Sequence, residues 1–189
     1  MSKSVRTILL SSAMAFAATA AFAQVNVGIT VSQTGPAAAL GIPQKNSVAQ
    51  LPKEIAGQKV EYIVLDDATD PTKAVANARK MIAENKIDYL IGSSATPATM
   101  ALVDVAAETR TPYCAMVPSK AVVDPVDDKR KWTFKAPQND AIMAESLAEH
   151  MAANGVKSVA FLGFTDGYGQ GWLEEVEKAM PAKGIKVTA

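Results

Sequence analysis

One cysteine, Cys114, stands in the whole chain, so no disulfide can form within it. Its place deep in the sequence also offers no lipid attachment at the end of a leader. Histidine is as scarce: His150 is alone in a helix-like segment, which leaves neither a companion for a histidine metal site nor a choice of base for a serine-histidine-acid triad. No Gly-x-Ser-x-Gly elbow and no Gly-Lys-Ser/Thr phosphate loop occurs. Lysine plus arginine and aspartate plus glutamate both number 19, without an extended basic run, which argues against nucleic acid as a partner. The apolar stretch near the start is cut off by Gln24 and Asn26, short of the roughly 20 residues that a membrane helix needs.

What stands at the start is a leader. Lys3 and Arg6 precede an apolar middle at residues 7–21, and Ala21-Phe22-Ala23 is a small-x-small end, so residues 1–23 are predicted to be a signal peptide cleaved after Ala23. The expected location is periplasmic, as a soluble protein. Loss of Lys3 and Arg6 leaves the remaining chain slightly acidic.

From residue 25 on, strand and helix patterns alternate. Strands are expected at 25–31, 59–65, 88–91 and 113–117, with a weak helix between 44 and 55. A second helix is expected from Pro71, capped by Asp70, with Val75, Ala78 and Ile82 on one face, and a third at 96–109. An exposed connection with Pro125 and Lys129-Arg130-Lys131 follows, then an extended piece at 132–136. A helix at 140–153, a strand at 158–163, another helix and a strand at 185–188 make a second unit. Repeated βα units predict an α/β fold: a Rossmann-like parallel sheet with helices on both faces, plus the start of a second αβ lobe. The expected division is 24–136 and 137–189. Since about fifty residues fall short of a self-sufficient α/β core, the chain reads as the front of a longer protein.

In parallel sheets ligands bind at the carboxyl ends of the strands. The turn after residue 91, Gly92-Ser93-Ser94-Ala95-Thr96, lies at such an end and leads into a helix start, with Pro97 suited to its first position and Thr96 or Ser94 able to cap. It is either an ordinary capped βα turn or an anion site, because unpartnered N–H groups gather there. The turn Gly167-Tyr168-Gly169-Gln170-Gly171 fails as a dinucleotide fingerprint, since the sixth position holds bulky Trp172. Tyr168 is better read as one jaw of a cleft facing the hydroxyl turn, with a packing role as the alternative.

Four segments together carry a likeness: Val-Gly-Ile-Thr-Val-Ser-Gln-Thr-Gly-Pro at 27–36, Leu-Asp-Asp-Ala-Thr-Asp-Pro at 65–71, Ile-Gly-Ser-Ser-Ala-Thr at 91–96 and Asp-Gly-Tyr-Gly-Gln-Gly at 166–171. With the leader, they resemble the type I periplasmic substrate-binding proteins of branched-chain amino acid ABC transporters. The resemblance implies two lobes that close over a small ligand, and docking of the liganded form on a membrane permease. It covers most of the first lobe and the beginning of the second.

Carried over by position, Ser93, Ser94 and Thr96 match the hydroxyl turn that holds a ligand carboxylate, and Tyr168 matches a tyrosine that covers the ligand. Asp66, Asp67 and Asp70 match a segment read as structural. Departures touch specificity: Ser119-Lys120-Ala121 stands where small residues and a threonine are common, and Leu40 where an aromatic often lines the pocket. Lys120 suggests a ligand with an added negative charge or without an amino group; the alternative is that it points to solvent. The resemblance therefore implies a monomeric solute-binding component of an ABC importer, without catalytic residues, metal or cofactor, binding an amino acid or related organic acid. A sensory receptor ectodomain and, with less to support it, a secreted α/β hydrolase are the other classes.

Overall fold

The computed structural model describes residues 24–188; the predicted signal peptide lies outside them. Its elements in order are β1 (Val25–Val31), α1 (Ala38–Val48), β2 (Glu54–Ile55), β3 (Gln58–Asp66), α2 (Pro71–Glu84), β4 (Tyr89–Gly92), α3 (Thr96–Thr109), β5 (Tyr113–Ala115), β6 (Thr133–Lys135), α4 (Asp140–Ala153), β7 (Ser158–Val159), α5 (Gly167–Ala182) and β8 (Lys186–Val187). Short 3-10 turns at Lys120–Val122 and Arg130–Trp132 interrupt the connection between β5 and β6.

Six strands form one sheet in the order β2-β3-β1-β4-β5-β6, all pairs parallel except the β2-β3 hairpin. Parallel neighbours require crossovers, and the helices between the strands supply them on both faces. On one face Ala74, Ala78 and Met81 of α2 and Leu102, Val103, Val105 and Ala106 of α3 close over Leu90, Tyr113 and Ala115. On the other, the alternating Val27, Ile29 and Val31 of β1 pack with Val60 and with Val48 of α1. The α/β architecture read from the sequence is present. A separate two-stranded parallel sheet, β7-β8, packs with α4 and α5 through Ala144, Ala148, Val176, Met180 and Ile185.

Asp70 caps α2 as expected, its carboxylate accepting from Thr72 N at 2.6 Å and Lys73 N at 3.0 Å with Pro71 in the first turn. Four expectations shift. The first helix begins at Ala38, not near Gln44: Gly41 has no side chain, and a Cβ there would overlap the Ser32 carbonyl, so only glycine lets this helix lie against the end of β1. The inward face of α2 is Ala74, Ala78 and Met81, with Val75 and Ile82 half-buried at its flank. The extended piece at 132–136 pairs with β5 as β6, and so belongs to the first sheet. The expected strand at 158–163 keeps a ladder only at Ser158 and Val159, because β8 offers it no further partner.

Candidate functional site

The registers Thr30↔Gly92, Val31↔Asp66 and Ile91↔Cys114 bring the carboxyl ends of β1, β3, β4 and β5 to one edge of the sheet. The turns that follow are tied together by a buried carboxylate. Asp67 is fully buried and accepts from Ser93 Oγ at 2.6 Å, Ser32 Oγ at 2.7 Å, Thr69 N at 3.0 Å and Thr30 Oγ1 at 3.3 Å. Such an acceptor satisfies three hydroxyls that would otherwise be stranded in the interior. Beside it, Asp66 accepts from Gln33 N, Thr34 N, Thr34 Oγ1 and Ala68 N. Burial by itself raises the Asp66 pKa, but the Thr34 hydroxyl and the backbone N–H groups of Ala68, Thr34 and Gln33 outweigh it and hold the carboxyl below its ordinary value. The reading of both aspartates as structural agrees with these contacts.

Gly92 turns the chain at the end of β4 with φ of +133°, where a Cβ would overlap the Thr30 carbonyl oxygen. Its own carbonyl accepts from the buried Tyr113 hydroxyl. Ser93 and Ser94 follow, both buried, and their hydroxyls face inward partners. Ser93 Oγ donates to Asp67; Ser94 Oγ donates to Gln44 Oε1 at 2.6 Å and accepts from Ser32 N at 3.0 Å.

Neither serine nor threonine caps α3. Ala95 occupies the N-cap with extended backbone and no side-chain hydrogen bond, and Thr96 and Pro97 form the first turn. Thr96 is 3% exposed, yet its Oγ1 has no hydrogen-bond partner. A buried hydroxyl without a partner costs about 1–3 kcal/mol. It stands beside the uncapped positive end of a helix, an environment that favours negative charge.

The opposite wall comes from α5. Asp166 caps that helix, accepting from Tyr168 N at 2.9 Å and Gly169 N at 3.1 Å. Its first residue, Gly167, lies so close to α3 that a Cβ placed there would stand 3.9 Å from Thr96 Cγ2. Two helix N-termini therefore converge, and Tyr168, 38% exposed, stands at the meeting point. Its ring is flanked by Phe164 and Trp172, each with a centroid 6.5 Å away. Phe161, Leu162, Phe164, Tyr168 and Trp172 line an open hollow of about 420 Å³ on this side.

The remaining candidates divide. Ser119 is buried in the segment after β5, just before the 3-10 turn at Lys120–Val122. Lys120 neither points to free solvent nor offers an open charge, because its ammonium pairs with Glu175 of α5. The Glu175 carboxylate raises the Lys120 pKa, and Lys120 in turn lowers that of Glu175. Ala121 is exposed in the 3-10 turn, and Leu40 stands out from α1 at 58% exposure. Ser93, Ser94 and Thr96 thus share the turn after β4, and Gly167, the neighbour of Tyr168, approaches Thr96; the hollow beside Tyr168 is lined by residues 161–172 alone, and Leu40 and Ala121 are exposed. Among the described residues, no cluster of histidine, cysteine and acidic side chains is placed to hold a metal ion.

The sequence that builds this sheet edge is matched by a family profile. The profile of the periplasmic binding proteins aligns with residues 24–189. The chain belongs to that family. Among solved structures, an extracellular ligand-binding receptor from Rhodopseudomonas palustris HaA2 is 48% identical with a TM-score of 0.85, over 88% of this chain and 46% of that one. A solute-binding protein of an ABC transporter from Rhodopseudomonas palustris BisB5, in complex with 3,4-dihydroxybenzoic acid, is 24% identical with a TM-score of 0.78, over 87% and 46%. A leucine-binding protein LivK from Thermotoga maritima MSB8 is 22% identical with a TM-score of 0.73, over 87% and 47%. The last two share the fold. This periplasmic binding protein spans under half the length of the solved structures it matches. A comparison with curated proteins found no match.

Sequence reasoning missed Gln44, Asp140 and Glu175. Gln44 lay in a helix whose start was expected six residues too late, which hid its position one turn beyond Gly41. Glu175 follows Tyr168 by seven residues on the same helix face, a spacing visible in the sequence once Tyr168 is taken as a landmark.

Proposed function

We propose that this periplasmic binding protein holds a small monocarboxylate between the start of α3 and Tyr168, as the solute-binding component of an ABC importer. The observation that carries this reading is Thr96: a buried residue with an unpartnered hydroxyl at an uncapped helix end, its methyl lying against the start of a second helix. Hydroxyl, backbone N–H and helix end together satisfy a carboxylate without a buried counter-charge. Tyr168 closes over the ligand from the other side. Because Lys120 is already paired with Glu175, it is not free to take a second ligand carboxylate, which favours one carboxylate over two. A branched-chain amino acid or a related organic acid meets this description.

On the same reading, residues 24–136 and 137–189 belong to two lobes, residues 1–23 direct export to the periplasm, and the liganded monomer docks on a membrane permease. Buried hydroxyls and a tyrosine bind, and no reaction is assigned.

Calorimetric titration of the full-length protein tests the proposal. The panel is leucine, valine, benzoate and 4-hydroxybenzoate, the last chosen because a fold neighbour from Rhodopseudomonas palustris is in complex with it. One of these acids should bind, and its methyl ester should not. An ester that binds as tightly as its acid would overturn the carboxylate assignment; tight binding of leucine or valine with none of the benzoates would remove the organic acids.

A further inference from the structure

Lys120 and Glu175 lie on different units, the first after β5 and the second in the middle of α5, yet they form an ion pair. Glu175 is only 6% exposed, and Lys178 Nζ approaches the same carboxylate oxygen at 3.3 Å. Nearby, the Lys120 backbone N–H donates to Asp140 Oδ1 at 3.2 Å. A Cβ on Gly171 would stand 3.7 Å from Asp140 Oδ2, so α5 also runs against the start of α4 at this point. One short loop of the first sheet, residues 118–120, is therefore held by both helices of the second unit.

The spacing gives this brace a purpose. Glu175 is seven residues, two helical turns, from Tyr168, so the two side chains share a face about 10 Å apart along the axis. Fixing Glu175 fixes the azimuth of α5 and hence the direction in which Tyr168 projects. A largely buried ion pair adds little net stability after desolvation, but it favours one arrangement over its alternatives. We infer that Glu175 is a positioning residue for the cleft: paired with Lys120, it holds α5 so that Tyr168 faces the Thr96 end of α3. This rests on the reading of Thr96 and Tyr168 as opposing jaws. It assigns Lys120 to the frame of the cleft and not to its ligand contacts.

A cross-link read without ligand separates this inference from the binding proposal. Full-length protein carrying Cys114→Ser, Thr96→Cys and Gly167→Cys places two thiols where the starts of the helices adjoin, near the span of a disulfide. Disulfide formation in mild oxidant should slow about tenfold on adding Glu175→Gln, the loss of a charge-assisted contact. Lys120→Met should slow it as well. Glu175→Asp, which keeps the carboxylate beside Lys120 and Lys178, should restore it toward the parent rate, which a merely structural loss would not do. Circular dichroism confirms that each variant is folded. An unchanged cross-linking rate in folded Glu175→Gln, or no rescue by Glu175→Asp, would overturn the inference even where carboxylate binding at Thr96 stands.

Discussion

Ser94 Oγ gives its proton to Gln44 Oε1 at 2.6 Å while accepting from Ser32 N at 3.0 Å, so this hydroxyl turns a lone pair, not a proton, toward anything bound beside it. Thr96, two residues on, has its hydroxyl uncommitted. The two neighbours in the same turn thus play unlike parts: Ser94 fastens α1 to the strand ends, and Thr96 is the available donor.

Replacing Gln44 separates these parts. Gln44→Leu should cost about 1 kcal/mol in urea unfolding, the net worth of one hydrogen bond, and leave carboxylate affinity undiminished because Ser94 regains a free proton. Gln44→Glu places a negative charge beside the anion and should weaken carboxylate binding about tenfold at low salt. Equal affinities in the two variants would put Gln44 outside the field of the bound anion.

Asp67 is the acceptor on which the strand-end turns depend. Asp67→Ala strands the hydroxyls of Thr30, Ser32 and Ser93 in the interior, and the loss should reach about 3 kcal/mol or more, seen as a lower urea midpoint or as insoluble protein. Asp67→Asn keeps one acceptor oxygen and should fall between the two. If Asp67→Ala unfolds at the parent midpoint, the network contributes nothing to stability.

Much of this was legible beforehand, and the rest was hidden for physical reasons. The strand at Val25–Val31, the capped start of α2 and the full extent of α3 are local in origin, set by β-branched runs, an Asp-Pro pair and apolar spacing. The Ser-Ser-Ala-Thr turn was readable as a strand-top segment because parallel topology puts all such turns of a sheet on one edge, and Tyr168 as the same kind of residue after a strand of the second, separate sheet. The donors' allocation was not readable. Ser93, Ser94 and Thr96 look alike in sequence, and only distances to Asp67 and Gln44, 26 and 50 residues away, decide which hydroxyl is free. Lys120 was ambiguous for the same reason, since its partner Glu175 lies 55 positions later and in another unit.

Acid should loosen the first turn before the sheet. Burial raises the Asp66 pKa, but the Thr34 hydroxyl and three backbone N–H groups bring the folded value below the ordinary 3.8. A carboxyl whose folded pKa is depressed contributes stability that is complete above the unfolded value and is lost as pH falls through the folded one. Between pH 7 and about pH 4 this contribution should therefore stay constant, then decline. Denaturant midpoints of the parent and of Asp66→Asn should converge below pH 4; parallel curves down to pH 2 would show that Asp66 does not hold the turn.

Thr96→Val makes the sharpest separation between folding and binding. The methyl that replaces the hydroxyl keeps the shape and removes a buried polar atom that has no partner. Because that group is a burden in the empty protein, the variant should be as stable as the parent or up to about 1 kcal/mol more stable. With a carboxylate bound, the same hydroxyl becomes a charge-assisted donor, and its loss should weaken binding about tenfold or more. Stability and affinity are thus expected to move apart, which residues that act only through packing do not do. Urea unfolding of the empty protein and calorimetry on the same samples give both quantities. A Thr96→Val protein that loses stability and affinity together would mean that the hydroxyl serves the fold, and that the carboxylate is held elsewhere.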